Sequence, residues 1–332
     1  MGKLPNKELK RLLSCIKKDS RVIIPPIVGY DSGVHQVDGE YLVVASDPCT
    51  GVPEEWFGYL MVNYAASDVA LSGAKPEFCT INLLGPRSTK PEVFQKIMKQ
   101  TCLAADELDI AIVRGHTGMY DSLKSLVGVA TVYGTVQLEK LITPGNAKPG
   151  DLILCTKPLG LETAINFSLT QKKLAQELFG EEQQEKLSTQ VRMQSCVHEA
   201  QQLAKTRVVH AMHDATEGGF VAALTELAEA SGVGFRVYWE KIHLSKEVLA
   251  LQNHFKLSDE QVLAMSSTGT VLAAVDPQAT EKVKKTLRQG GLTASFLGEF
   301  TENKERVMIK QGKKMSFPEV PDDPYSLIVS GR

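Results

Sequence analysis

Chemistry in this chain concentrates in a few short segments whose residue types suit anions and hard cations. One is RVVHAMHDATEGGFVAALTELAEASGVGF, residues 207 to 235. Its apolar strand pattern ends at His213-Asp214, Gly218-Gly219 allows close backbone approach, and a helical pattern runs on through Leu224, Leu227 and Ala228. A helix start reached through paired glycines offers unpaired N–H groups and the positive end of a dipole, which suits phosphate. Thr216, Gly218 and Gly219 are therefore candidate anion binders. Asp214 is a candidate Mg²⁺ ligand, because hard cations take carboxylate and phosphate oxygens together. A capping Asp followed by glycines used for packing explains the same residues without any ligand.

A second segment is VNYAASDVALSGAKP, residues 62 to 76. Asn63 and Ser67 fall four apart on one helical face, and Asp68 sits in an otherwise apolar helix, a costly place for a carboxylate unless a partner or metal meets it. GYDSGV (29 to 34) and VVASDPCTGV (43 to 52) add Asp31 and Asp47 in turns, where an Asp bonding to its own backbone is the simpler reading. IVRGHTGMYDSL (112 to 123) supplies Gly115, His116 and Thr117 at an expected strand end. Imidazole is a poor substitute for carboxylate on Mg²⁺, so His116 reads as a donor to phosphate or substrate, or as an acid or base. His210 and His213 form H-x-x-H, but a three-residue offset in a strand sends them to opposite faces, which excludes a zinc pair.

Periodicity supplies the elements that must hold these residues. A short leading helix is expected near 5 to 17, then strand 41–46, helix 56–71 ending at Ser72-Gly73, strand 77–84, a helix from Pro91, and strands 111–115 and 126–136. The turn-rich TPGNAKPGD (143 to 151) marks a junction, giving domains 1–147 and 148–332. Beyond it strands are expected at 152–156, 207–212, 233–237, 270–275, 293–299 and 306–310, with helices at 161–204 and 217–231. The fold class is α+β followed by α/β.

The 37 Lys and Arg against 39 Asp and Glu leave no basic excess, so nucleic acid is not an expected partner. No run of about 18 apolar residues is present and the N-terminus lacks a signal-peptide core, so a cytoplasmic protein without a membrane segment is expected. The six cysteines form no C-x-x-C pair and read as reduced thiols.

Beyond this physics lies a resemblance. HDATEGG looks like the HD-x-T-x-GG signature of HypE proteins. VNYAASDVALSGAKP is similar to N-x-S-D-x-A-x-x-GA-x-P of thiamine-monophosphate kinases and N-D-x-A-x-x-GAKP of HypE. The Asp31 and Asp47 turns resemble G-D-D-A-A-V and T-D-S/T segments, GHT stands where G-D-T is frequent, and LAMSSTGTVLAAV (263 to 275) matches a further element. Taken in order, these segments resemble the aminoimidazole-ribonucleotide synthetase and HypE-like superfamily, which also includes selenophosphate synthetase.

That resemblance implies a two-domain fold whose N-terminal sheet domain forms a homodimer, with Mg-ATP bound between domains and a small-molecule substrate phosphorylated or dehydrated. It implies Asp31, Asp47, Asp68 and Asp214 as ligands of Mg²⁺, and Asn63, Gly115, Thr117, Thr216, Gly218 and Gly219 as ATP or substrate contacts. His116, His213, Asp214 and Glu217 become the catalytic candidates. Tyr30 stands in place of one family acid and Glu217 in place of a common Arg. HypE accepts a carbamoyl group on a C-terminal cysteine, whereas the last cysteine here is Cys196 in a predicted helix, so a free acceptor is expected instead. The alternative is a non-catalytic nucleotide-binding or scaffold protein of the same fold.

Overall fold

The computed structural model describes Leu4, residues 6–319 and residues 322–331. The chain begins with α1 (Asn6–Leu13), followed by β1 (Val22–Ile24), β2 (Gly33–Val37), β3 (Glu40–Cys49), α2 (Phe57–Leu71), β4 (Phe78–Pro86), α3 (Pro91–Leu108), β5 (Ala111–Tyr120) and β6 (Val127–Val136). It continues with β7 (Leu152–Cys155), α4 (Leu161–Thr170), α5 (Lys172–Phe179), α6 (Glu181–Ser188), α7 (Val197–Lys205), β8 (Val209–Asp214), α8 (Gly219–Ser231), β9 (Gly234–Tyr238), α9 (Lys246–Phe255), α10 (Asp259–Leu263), β10 (Val271–Val275), α11 (Thr280–Gln289), β11 (Ser295–Thr301), β12 (Arg306–Lys310), β13 (Lys313–Ser316) and α12 (Tyr325–Ser330).

Two compact units result, each an α+β layer structure with a mixed, mainly antiparallel sheet. One comprises Ile16–Ile27 and Asp31–Leu141; the other comprises Met1–Cys15, Val28–Tyr30 and Ile142–Arg332. The leading helix thus belongs with the C-terminal unit, and the division falls at 141/142, ahead of the turn cluster.

In the N-terminal unit the sheet order is β1-β2-β3-β6-β4-β5, antiparallel except for the parallel β4–β5 pair. Every residue of α2 except Tyr64 is buried. A helix apolar on all sides needs cover on both faces, and α2 lies against β3 and β6 on one side and α3 on another. Glycines set its path: a Cβ at Gly128 would lie 2.6 Å from Met61 Sδ, and one at Gly134 would lie 1.8 Å from the Lys75 carbonyl oxygen just past the helix end. The two sheet positions pair with Cys49 and Val43 respectively, so α2 runs along β3 from Cys49 toward Val43.

In the C-terminal unit the order is β13-β12-β9-β11-β7-β10-β8, with β12–β9 the parallel pair. β10 is buried along its whole length between β7 and β8, which its unbroken VLAAV sequence requires. Phe220, Phe235, Phe300 and Phe317 join one core with α8. A second core gathers Phe167, Ala175, Val248, Leu251, Val262, Met265 and Ile328 around α4, α5, α9 and α12.

Candidate functional site

Three candidate aspartates belong to the N-terminal unit. Along β3 the buried face carries Val43, Ala45 and Cys49, and strand alternation places Asp47 on that same face, the one α2 covers. Asp47 Oδ2 is shielded from solvent. Asp68, in α2 itself, is 7% exposed. Asp31 precedes β2 in a loop tied to the end of the same helix, because Ser32 Oγ and Ser72 Oγ share a hydrogen bond at 2.6 Å. The fold therefore brings one acid from the sheet, one from the helix and one from the adjoining loop to a single helix–sheet layer. Asn63 is fully buried, donates Nδ2 to the Tyr59 carbonyl at 2.9 Å, and has an Oδ1 that accepts no hydrogen bond among the described residues.

Gly115, His116 and Thr117 do not lie at a strand end. They lie inside β5, which continues to Tyr120 because β4 pairs with it over its full length. His116 is exposed, and its Nε2 meets the Tyr120 hydroxyl at 2.9 Å, four residues along the same strand face. Nearly all of this edge strand is exposed, including Ile112, Val113 and Met119.

In the C-terminal unit three turns meet at the ends of the central strands. Gly160 at the start of α4 donates its N–H to Ser267 Oγ at 2.6 Å, and Ser267 N–H donates to the Ala215 carbonyl at 2.8 Å. Ala215 N–H in turn donates to the Thr270 carbonyl at 2.9 Å. The loop between α10 and β10 thereby fixes both helix starts. Gly219 adopts φ +54°, and a Cβ there would come within 2.3 Å of the Met265 carbonyl oxygen, so only glycine fits.

His213 and Asp214 are both buried at the end of β8. His213 Nδ1 lies 2.8 Å from the Asp214 carbonyl oxygen, which only accepts, so Nδ1 carries a hydrogen. Its Nε2 lies 2.9 Å from Glu226 Oε2. His210 points the other way, as strand alternation requires, and meets both carboxylate oxygens of Asp151 at 2.9 Å. Glu217 is exposed and Thr216 half-buried beside the glycine turn, where Gly219 N–H donates to the Thr216 carbonyl at 2.9 Å. Tyr30 keeps a packing role: its hydroxyl lies against Gly145.

Two acids that sequence reasoning passed over take prominent places. Glu162, in the first turn of α4, is buried and accepts from Thr268 N–H at 3.2 Å and Thr268 Oγ–H at 2.5 Å. Burial pushes its carboxyl up to about 7; the Thr268 hydrogen bonds oppose this, and the carboxylates of Asp323 and Glu217 add to it. Asp323 accepts from Gly218 N–H at 3.1 Å, Ser266 Oγ–H at 2.5 Å and Tyr325 N–H at 2.8 Å. A carboxylate in the uncharged stretch LGLETAINFS carried the same signal as Asp68, a charge where burial is expected, and was legible on that ground.

With this geometry in place, comparison with known families is decisive. The AIR synthase related protein N-terminal domain matches residues 29–136, and the AIR synthase related protein C-terminal domain matches residues 148–310. The chain belongs to the AIR synthase related family. It is similar to the selenide, water dikinase of Carboxydothermus hydrogenoformans, with 26% identity over 314 residues, 88% of this chain and 90% of that protein. Its fold matches that of hydrogenase maturation protein HypE in complex with ATP at TM-score 0.72 and 17% identity, covering 94% of this chain and 91% of that one. It matches AaThiL complexed with AMPPCP and TMP at TM-score 0.72 and 18% identity, covering 94% and 97%. The two-domain AIR synthase-like architecture expected from those segments is thus the one this chain has. No helix among the described residues is long and apolar enough to cross a membrane.

Proposed function

We propose that this protein is an ATP-dependent enzyme that uses Mg-ATP to activate a small-molecule substrate by phosphoryl transfer, in the manner of a kinase or synthetase. The observation that carries the reading is that Asp47 in β3, Asp68 in α2 and Asp31 in the loop tied to the end of α2 belong to one helix–sheet layer. Carboxylates are the hard oxygen donors that Mg²⁺ takes, and the buried Asn63 Oδ1 is a further oxygen acceptor in the same helix. Mg²⁺ when bound supplies charge neutralisation of the phosphates and orients them for in-line transfer. The chain's own part is to hold these oxygens in place before the nucleotide arrives, so that positioning and charge stabilisation supply the rate.

Support for the nucleotide comes from relatives. A selenide, water dikinase aligns over most of the chain, and structures sharing the fold hold ATP or AMPPCP. In the C-terminal unit, Asp214, His213 and the turn carrying Thr216, Gly218 and Gly219 are assigned to substrate and phosphate handling. Glu162, which accepts from Thr268 at the start of α4 and whose carboxyl burial pushes up to about 7, is assigned to proton transfer. Gly115, His116 and Thr117 face solvent in this chain, and the long exposed edge of β5 is the kind of strand that another copy covers; a homodimer through the N-terminal sheet is assigned on that ground.

A second reading, nucleotide binding without turnover, is favoured by one observation. Tyr30 packs against Gly145, and His116 is engaged with Tyr120, so two positions at which the family resemblance leads one to expect acids supply none here. One experiment separates the readings: ADP release measured with and without Mg²⁺ across a panel of small acids, amides and amines, beside direct ATP binding. Mg-dependent release stimulated by one substrate class supports the enzyme. Tight ATP binding with no ADP release under any condition establishes the second reading.

A further inference from the structure

The glycine turn before α8 already holds an anion, and that anion is the chain's own. Asp323 lies 105 residues beyond Gly218 yet takes its N–H at 3.1 Å, together with the Oγ–H of Ser266 at 2.5 Å and the Ser266 N–H at 3.4 Å. The segment that delivers it is short. Tyr325 N–H closes on Asp323 Oδ1 at 2.8 Å, the Tyr325 hydroxyl accepts from Asn166 Nδ2 at 2.9 Å, and the Val329 carbonyl accepts from Thr170 Oγ1 at 3.0 Å and Gln171 Nε2 at 2.9 Å. Of its side chains only Pro324 and Ile328 are buried, and Ile328 is a single member of a core whose other members come from α4, α5, α9 and the α10 region. Such a segment can lift away while the core beneath it stays packed.

We propose that Asp323–Gly331 is an autoinhibitory strap: docked, it seats the Asp323 carboxylate on the start of α8, and an anionic ligand reaches Gly218 N–H and Ser266 only when the strap leaves. Charge and geometry both enforce this exclusion. A phosphate oxygen needs the same donors, which are already saturated, and it meets a like charge on approach. The apparent affinity of the turn for an anion is therefore its intrinsic affinity reduced by the fraction of molecules in which the strap is released. From the proposed function this takes only that an anionic group meets the turn, and its test needs neither ATP nor turnover.

Full-length parent protein, Asp323→Ala, Asp323→Asn and Ile328→Ala are titrated with inorganic pyrophosphate, and the backbone amide resonance of Gly218 is followed by NMR. The spectrum of each variant outside α12 and its contacts reports that the fold is retained. Asp323→Ala removes the competitor and Ile328→Ala weakens the anchor while keeping the carboxylate. Both are expected to bind pyrophosphate at least about tenfold more tightly than the parent, with saturable movement of Gly218, as a strap docked in nine molecules of ten requires. Asp323→Asn, which keeps an acceptor but loses the charge, falls between. Equal affinity in all four proteins, or a Gly218 resonance that never moves, overturns the proposal. A gain in Asp323→Ala without any gain in Ile328→Ala also overturns it, because the carboxylate is then a fixed part of the turn and the segment does not release.

Discussion

Replacing Glu162 by Gln tests whether the buried carboxyl at the start of α4 is held near neutrality. Its carboxyl moves from the ordinary 4.5 to about 7. The folded protein therefore binds this proton more tightly than the unfolded chain does, and the sign follows from linkage. The contribution is fully present below about pH 4.5 and is lost as pH rises through about 7. With these two values the parent loses roughly 2–3 kcal/mol between pH 5 and pH 8 that Glu162→Gln does not lose. The amide oxygen of Gln accepts from Thr268 as the acid does, so the two proteins are expected to agree within about 1 kcal/mol at pH 5. The chain has two tryptophans, Trp56 in the N-terminal unit and Trp239 in the C-terminal unit. In a Trp56→Phe background, Trp239 fluorescence in guanidinium titrations at pH 5, 6, 7 and 8 reports on the unit that carries Glu162. Every other titrating group is common to both proteins, so the difference between their profiles isolates this one. Parallel profiles from pH 5 to 8 refute the argument, since a carboxyl that ionises at its ordinary value contributes no slope there.

Asp68→Asn is expected to lower Mg-dependent ATP turnover on the order of 10²-fold while changing the melting temperature little; normal turnover with a lowered melting temperature identifies Asp68 as structural. Gly219→Ala places a Cβ 2.3 Å from the Met265 carbonyl at φ +54° and is expected to destabilise the C-terminal unit by at least about 2 kcal/mol, read by Trp239 fluorescence. Lys157 Nζ meets Glu199 Oε1 at 2.8 Å with both side chains largely buried, so Lys157→Met leaves a buried charge and should cost about 3–5 kcal/mol, much of it recovered in the double variant with Glu199→Leu. Burial pushes the Cys155 thiol up to about 12 and Cys79 up to about 11, so maleimide labelling of the folded protein at pH 7.5 should stop at the exposed Cys15 and Cys102; modification of Cys155 at a comparable rate contradicts its burial.

What sequence made legible was whatever rests on local pattern. The helix from Trp56 to Leu71 was readable because its apolar and small residues run unbroken to Ser72-Gly73, and the structure starts it one residue later at Phe57. β6 alternates buried and half-buried positions as period-two patterning requires. Three strands went unread, Val22–Ile24, Gly33–Val37 and Lys313–Ser316, since each is short and none shows period-two alternation. β5 was read as ending at Gly115 because Gly-His-Thr-Gly resembles a turn. Pairing with β4 overrides that local preference and carries the strand to Tyr120. Cys196, expected within a helix, is the buried residue capping α7. Among site residues, Asp68 and the glycine turn announced themselves through local conflict with their neighbours. Asp323 did not, because its role depends on donors 105 and 57 residues away.

The strap and the buried carboxyl are not independent. Asp323 is one of the charges that raise Glu162, after burial itself and beside Glu217. If docking of Asp323 raises the affinity of Glu162 for a proton, then by reciprocity a proton on Glu162 strengthens the docking of Asp323 by the same free energy. The loop between α10 and β10 supplies donors to both, with Ser266 serving Asp323 and Thr268 serving Glu162. Loss of the Glu162 proton places a second negative charge near the first, and the mobile partner is the one on the strap. An anion arriving at Gly218 replaces Asp323 as the charge near Glu162 and inherits the same coupling. The strap therefore releases most readily when Glu162 is ionised, and an anion once seated draws the proton back. Under the proposed function the site must accept a phosphate group and move a proton in one cycle, and these two acids give it a physical link between the two events.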